Sequence, residues 1–432
     1  MAIWRNWAGN QEASPVQTIT PRGVADVVTA VHTASAQGLT VKATGTGHSF
    51  TDIAATTGIR LLPGGMTRIR AVDLAAGLVT VEAGMPLDEF CQGLARLGLA
   101  LTNMGDIAVQ TVAGATSTGT HGTGRDSASI SAQIAALELV LADGSVVTCS
   151  AGERPELFAA ARLGLGALGI VTAITFAVEP AFRLRAVERP MRWDEVMDGL
   201  EELTSRNEHF EFYWFPHTEH CLTKQNNRTD GPGRPLRALR GWFEDEFVSN
   251  TVFAGYNRLA RRAPGIVPRG NRLAGVLLSA REYVDASYKV FASPRRVRFI
   301  ESEYAVPRAA LPEVLRELRA AIASAGWRIS FPIEVRFAPP DDLWLSTAHG
   351  RDSAYVAIHQ YLGSPGLEQY FPTAERIFGA VGGRPHWGKL HTRGPEYLAS
   401  VYPHYPDFVA LRDKLDPQRR FANPYLTQVL GD

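Results

Sequence analysis

The spacing of apolar positions in the first 180 residues switches repeatedly between a helical and a strand-like period. Val24, Val27, Val28 and Val31 recur three and four residues apart, which predicts an amphipathic helix. Thr20-Pro21 reads as its cap and first position, and Gly38 as its stop. Residues 39–43 and 78–81 read as strands. Pro86 opens a second helix with Leu87, Phe90, Cys91, Leu94 and Leu97 on one face. Residues 137–141 and 146–148 flank Asp143-Gly144, a hairpin signal. The apolar run 163–178 is broken by Gly164, Gly166 and Gly169, so it predicts a turn and a buried strand rather than a membrane span.

The pattern changes near Glu179-Pro180. Residues 228–272 are rich in Arg, Gly and Pro with interspersed aromatics. They read as helices and loops with solvated arginines, with a mobile flap or a membrane-surface segment as alternatives. Residues 296–305, 329–337 and 355–361 predict strands. Val314, Leu315, Leu318 and Ile322 predict a helix stopped by Gly326. The fold class is therefore α+β. At 432 residues the chain is too long for one core, so two domains are expected.

Charge narrows the partners. Lys+Arg and Asp+Glu both number 44, which argues against nucleic acid, whose phosphates require a basic surplus. The three cysteines Cys91, Cys149 and Cys221 are scattered and suggest no disulfide framework, hence a reducing, cytoplasmic setting. The first residues, Met1 to Trp7, lack a signal-peptide core.

Two glycine-rich loops carry the first chemical signal. Thr44, Gly45, Thr46, Gly47, His48 and Ser49 follow a strand, and their bare N–H groups suit an anion such as a pyrophosphate. His48 has no apolar face to pack on, which marks it as reactive or stacked. The second run includes Gly114, Thr118, Gly119, Thr120, His121, Gly122 and Gly124. It has too little bulk for a core element and suits more phosphate or ribose. Neither loop fits a Walker or Rossmann pattern, which points to a large phosphorylated cofactor held in an unusual way.

Three further groups stand out. Glu334 and Arg336 alternate in the strand Ile333-Glu334-Val335-Arg336-Phe337, so both face one side and can neutralise each other while buried. Lys389 follows His386-Trp387-Gly388 in a turn and can offset negative charge. His359 is either a satisfied core histidine or an active-site donor. His217, His220 and Cys221 cluster, but no second ligand pair accompanies them, so no metal is assigned.

Together these segments resemble the vanillyl-alcohol oxidase type of flavoenzymes, in the aldonolactone and alditol oxidase branch. The likeness rests on GTGHSFTD at 45–52, NMGD at 103–106, AGATSTGTHGTG at 113–124, LGALGIVT at 165–172, IEVRF at 333–337, HWGK at 386–389 and DPQRRFANPYL at 416–426. It implies a PCMH-type FAD-binding domain at 1–180, an α+β substrate-binding cap at 181–375 and a return to the FAD domain at 376–432. It implies FAD joined covalently to His48, with Gly105, Asp106, Ile170 and His386 also at the cofactor. Asp106 and Tyr361 would meet the substrate, and Glu334, Arg336, His359 and Lys389 would be catalytic.

Gly105-Asp106 stands where sugar-alcohol oxidases have Ala-Ser, and Tyr361 where they have threonine. Arg351-Asp352-Ser353 followed by Tyr361 looks more like the gulonolactone and arabinonolactone oxidases, whose products are vitamin C or its analogues. The implied substrate is a sugar lactone, with an open-chain polyol as the alternative. The implied acceptor is oxygen or another oxidant. Dehydrogenase members carry Ala at the position of Gly105, where oxidases commonly carry Gly. A rival of another class is a non-catalytic flavin-binding electron-relay protein.

Overall fold

The computed structural model describes residues 3–236, 251–293 and 296–432. Part of the Arg-rich stretch, 237–250, lies outside the described residues. Three parallel strands, Gln17–Ile19, Ile59–Leu61 and Val41–Ala43, pack beside an antiparallel five-stranded sheet. Its order is Val146–Ser150, Ile134–Val140, Ile170–Ala177, Leu78–Glu82 and Ile69–Asp73. The hairpin expected at Asp143-Gly144 forms, with Val146 opposite Val140.

The first helix is Val24–Ala36, one turn later than Thr20-Pro21 suggested. The Asp26 carboxylate accepts from the Arg22 amide at 2.8 Å, so the chain turns in at Gly23. The second helix, Leu87–Arg96, buries Leu87, Phe90, Cys91 and Leu94. Leu97 falls past its end and is exposed, because the chain turns away at Gly98, whose φ is +73°.

An antiparallel eight-stranded sheet follows. Its order is Arg281–Ala286, Arg183–Arg192, His220–Thr229, His209–Trp214, Ile333–Ala338, Ser353–Gln360, Ile300–Pro307 and Arg384–Pro385. Alternation gives its central strands two faces of opposite character. Phe210, Phe212, Val335, Val356, Ile358, Tyr304 and Val306 face helices Leu311–Ala325 and Tyr370–Ala380 and form one core with them. Glu211, Glu334, Arg336, His359, Glu301 and Glu303 occupy the other face and are also buried. Two of these strands begin four residues later than expected. Pro332 lacks the N–H that pairing needs. Val297 and Phe299 join an aromatic cluster with Phe50 and Phe331 instead of pairing.

The chain end returns to the first half. Trp387, Leu398, Tyr402, Phe408, Tyr425 and Val429 share a core with Phe90, Leu139, Leu163 and Phe176. The segment 416–426 grips the chain on either side of the first glycine loop. Arg420 donates to Ala34 O and Leu39 O, and Asn423 Nδ2 donates to Asp52 O, Ile53 O and Ala55 O. Within the Arg-rich stretch two helices, Phe253–Arg262 and Val267–Leu277, are held by buried Asn271, which donates to Pro216 O and Ile329 O. Leu273, Val276 and Leu277 are 61–71% exposed on the second of them. Among the described residues no helix is long and apolar enough to cross a membrane.

Candidate active site

A cleft runs between the parallel strands and the five-stranded sheet. Gly45, Thr46, Gly47, His48 and Ser49 form one wall, Gly114 and Thr118 the opposite one, with Gly166 and Ile170 beside them. Gly47 has φ +72° and Gly119 φ +75°, conformations that strongly favour glycine. A Cβ on Gly45 would meet Thr111 Oγ1 at 2.7 Å. That hydroxyl caps the helix Val112–Ser117 by accepting from Gly114 N at 3.1 Å. Such close backbone approach at the wall of an open cleft fits a pyrophosphate.

The second glycine run is not wholly a loop. Val112–Ser117 is a helix, and its Ala115 and Thr116 are buried, because residues this small let the helix pack closely under the strands. The far end of the run also leaves the cleft. Gly124 N donates to Phe337 O at 2.8 Å, and Thr123 Oγ1 donates to Phe210 O, tying the loop to the larger sheet. Thr44 is buried and donates to Ala54 O, Thr120 bonds to Gln110, and Gly122 lies under Met104 O.

Lys42, which the sequence reading missed, lies on the cleft floor. Its ammonium donates to Phe421 O at 3.1 Å and Gly166 O at 3.3 Å. Burial pulls its pKa down to about 7, against Asp416 and Asp52, which raise it. His48 stacks on Trp7 with ring centroids 5.2 Å apart. Burial and then Lys389 lower its pKa to about 4, so the imidazole is neutral at pH 7.

Beyond the cleft stand two charged groups on the polar face of the large sheet. In the first, Arg336 pairs with Glu334 at 2.5 Å, Glu211 at 3.0 Å and Asp106 at 3.2 Å. Burial works against its charge, but Glu334, Asp106 and Glu211 outweigh that and hold the guanidinium protonated. Tyr213 donates to Glu334 at 2.6 Å, and Lys224 pairs with Glu211 at 3.2 Å. In the second group, Lys389 lies 2.5 Å from Glu301 and 3.9 Å from Glu303. Burial lowers its pKa, yet these two carboxylates outweigh burial and raise it. His359 Nε2 is 3.6 Å from Glu301, and His121 Nε2 is 3.4 Å from Glu303.

The structure thus gathers Glu334, Arg336 and Asp106 in one group and His359, Lys389 and His121 in the other. Tyr361 joins neither group; it packs against the cluster that holds Phe50, Phe299 and Phe331, with Arg261 over its ring, and that cluster also touches His359 and Lys389. His386 is buried beside Glu303. Its Nδ1 accepts from Gly388 N at 3.0 Å, and burial lowers its pKa to about 3. Among the described residues His121, Glu303 and His386 are the one trio spaced for a metal ion. The engaged Nδ1 of His386 and the Lys389 ammonium beside Glu303 work against a cation there. His217, His220 and Cys221 do not converge; His217 Nε2 accepts from Ile329 N at 3.3 Å.

Glu211, Glu301 and Glu303 were also missed. Glu211, between Phe210 and Phe212, carries the signal that exposed Glu334 and Arg336, whereas Glu301 and Glu303 are separated by Ser302.

This fold is shared with solved cholesterol oxidases. A solvent-stable cholesterol oxidase superposes with a TM-score of 0.83 at 19% identity, over 100% of this chain and 97% of that one. An FAD binding domain matches residues 15–150. Together with the cleft, these define an FAD-dependent oxidoreductase. The D-arabinono-1,4-lactone oxidase model matches residues 174–429. An L-gulono-1,4-lactone dehydrogenase of Mycobacterium tuberculosis is 40% identical over 429 residues, 99% of each chain. L-gulonolactone oxidase of Bos taurus is 34% identical over 433 residues, 99% of this chain and 98% of that one. The chain belongs to the D-arabinono-1,4-lactone oxidase family.

Proposed function

We propose that this protein oxidises a neutral sugar lactone, L-gulono-1,4-lactone or a close relative, at the secondary alcohol beside the carbonyl. Bound FAD supplies the hydride acceptor and passes the electrons to oxygen or another oxidant. The cleft holds the pyrophosphate, with Lys42 on its floor. His48 is the residue that bonds covalently to the flavin. Arg336 and Lys389 orient the substrate oxygens, and His359 takes the hydroxyl proton.

The observation that carries this reading is the pair of buried charged groups on the polar face of the large sheet. Among the described residues they pair Asp106, Glu211 and Glu334 with Arg336, Glu211 with Lys224, and Glu301 and Glu303 with Lys389. The cations are therefore already compensated. Paired cations of this kind suit a neutral ligand better than a charged sugar acid. A neutral lactone suits it, and its hydrolysed aldonate does not.

Anaerobic mixing with L-gulono-1,4-lactone, D-arabinono-1,4-lactone and xylitol tests this through flavin absorbance. The lactones are expected to bleach the flavin faster than xylitol does, and L-gulonate should not bleach it. Failure of every lactone to reduce the flavin refutes the reading. The same proposal includes weak docking on an anionic lipid surface through helices Phe253–Arg262 and Val267–Leu277. Exposed Arg258, Arg262, Arg269 and Arg272 accompany exposed Leu259, Leu273 and Val276 there. Sedimentation with phosphatidylserine vesicles, but not with phosphatidylcholine vesicles, is the expected result.

A further inference from the structure

The N-terminal strands Trp4–Arg5 and Glu12–Ala13 pair antiparallel, and the residues between them close a hairpin that takes no part in the reaction described so far. Buried Asn6 organises it. Its Oδ1 accepts from Gly9 N at 2.9 Å and Gln11 N at 3.1 Å, and its Nδ2 donates to Asn10 Oδ1 at 2.7 Å. Nδ2 also donates outward, to Ser49 O at 3.0 Å. With two bonds given and two accepted, the amide is satisfied and its direction is fixed.

The hairpin grips the first glycine loop on both sides of His48. Trp7 N donates to Gly47 O at 2.7 Å, before the histidine. After it, Ser49 O is held by Asn6, and Phe50 O accepts from Asn10 Nδ2 at 2.9 Å and Gln11 Nε2 at 3.0 Å. The fit is close: a Cβ on Gly47 would lie 3.4 Å from Trp4 Cζ2 and 3.5 Å from Asn6 Cα.

Trp7 then acts on the side chain itself. Its indole stacks on the His48 imidazole, with centroids 5.2 Å apart and planes 23° from parallel. Phe50 and Phe299 meet the indole edge-on, at 6.5 and 5.5 Å, and keep it from turning. A stack covers a face of the imidazole, whereas the nitrogen lone pair lies in the ring plane. The contact therefore restricts rotation of His48 and leaves its bonding edge uncovered. His48 lines the cleft, and burial followed by Lys389 keeps it neutral, the form that has a lone pair to give.

We propose that Trp7 is a positioning residue for flavin attachment: the hairpin fixes the loop, and the indole fixes the angle at which the His48 imidazole bonds the methyl carbon of the flavin ring. The proposal rests on the covalent-linkage reading above. In the balanced step the imidazole N–H bond and one methyl C–H bond break, and a C–N bond forms. The two electrons and two protons released reduce the flavin ring, and molecular oxygen reoxidises it, giving hydrogen peroxide. A misplacement of about 1 Å costs such a step about a hundredfold in rate. The pyrophosphate is held by other residues, Gly45, Gly114 and Lys42 in the reading above, so loss of the indole should leave FAD bound and unlinked.

The test uses the full chain produced under riboflavin starvation and then given FAD in air. Samples are quenched in acid over time, and flavin is measured in pellet and supernatant. Trp7→Leu keeps apolar bulk without a stacking face, and Trp7→Phe restores a smaller face. Linkage in Trp7→Leu should slow by about tenfold or more, while total bound flavin stays within about twofold of wild type. Trp7→Phe should recover to within about threefold of the wild-type rate. Linkage in Trp7→Leu at the wild-type rate overturns the proposal, as does Trp7→Phe no faster than Trp7→Leu. A Trp7→Leu protein that loses bound and linked flavin in the same proportion also overturns it, since the residue then serves the fold alone. If Trp7→Leu does not fold, Trp7→Met decides by the same criteria. Wild-type flavin that stays in the supernatant refutes the linkage and this role together; a wild type that links, with Trp7→Leu linking equally fast, refutes the role alone.

Discussion

Asp106 Oδ2 lies 3.2 Å from Arg336 Nη2, joining the loop after Met104 to the strand Ile333–Ala338. The loop that packs against the glycine run therefore also steers the guanidinium. Asp106→Asn leaves Arg336 paired with Glu334 and Glu211, so the fold should survive. The expected result is normal flavin content with a KM for lactone raised about tenfold, the size of one charge-assisted hydrogen bond. Steady-state kinetics beside a flavin-to-protein absorbance ratio check this, and an unchanged KM removes Asp106 from substrate positioning.

His48 offers a neutral imidazole stacked on Trp7 at the mouth of the cleft. Acid precipitation of the wild-type protein should leave a yellow pellet, since a covalent flavin stays with the chain. His48→Ala should keep the fold and release flavin to the supernatant. Yellow supernatant from the wild type would refute the linkage.

These two sites differ in how far the sequence reveals them. Glycine at alternate positions announces the first cleft wall, because tight turns leave few other choices of residue. Glu334 and Arg336 are legible because charge inside an apolar strand is costly unless paired. Their partners are not: Glu211 reaches Arg336 from a separate strand, and only the sheet order brings the two together. Glu301 and Glu303 share only the two-residue spacing of Glu334 and Arg336. They escape notice because Ser302 lies between them and the strand starts later than its apolar run. Lys42 looks like an ordinary strand charge until Phe421 returns from the other end of the chain to cover it. The small residues from Gly114 onward read as loop, although those up to Ser117 belong to a helix capped by Thr111.

Lys42 makes the flavin-free protein sensitive to pH. Its pKa is about 7 in the fold against an ordinary 10.5. Between these values the unfolded chain binds more protons than the folded one, so this residue's contribution to stability rises with pH. Below pH 7 the folded protein carries the buried ammonium and is at its least favourable. Urea unfolding of flavin-stripped His48→Ala protein, with and without Lys42→Met, isolates the effect. The gap between the two should close as pH rises from about 7 to 10, and parallel curves would contradict it. Bound FAD should flatten the dependence, because a phosphate beside the ammonium raises its pKa.

Gly105 bears on the electron acceptor. Family resemblance puts this position beside the flavin carbon that reacts with oxygen, where glycine leaves room and alanine does not. The reduced enzyme is therefore expected to consume oxygen and release hydrogen peroxide. The obvious variant, Gly105→Ala, is confounded here. An added Cβ would lie 2.9 Å from Thr120 Cγ2 and 3.2 Å from His121 O, so the methyl presses on the second glycine run. Gly105 has no positive φ, so backbone strain is not the obstacle. Thr120→Ser removes the offending methyl and retains the hydroxyl that bonds to Gln110. The double variant Gly105→Ala/Thr120→Ser thus tests oxygen access with the clash relieved. Its reduction by lactone and its electron transfer to a dye should stay within about threefold of Thr120→Ser alone, while reoxidation by oxygen slows by about a hundredfold. Equal loss of all three rates would show that Gly105 serves close packing against His121 O instead.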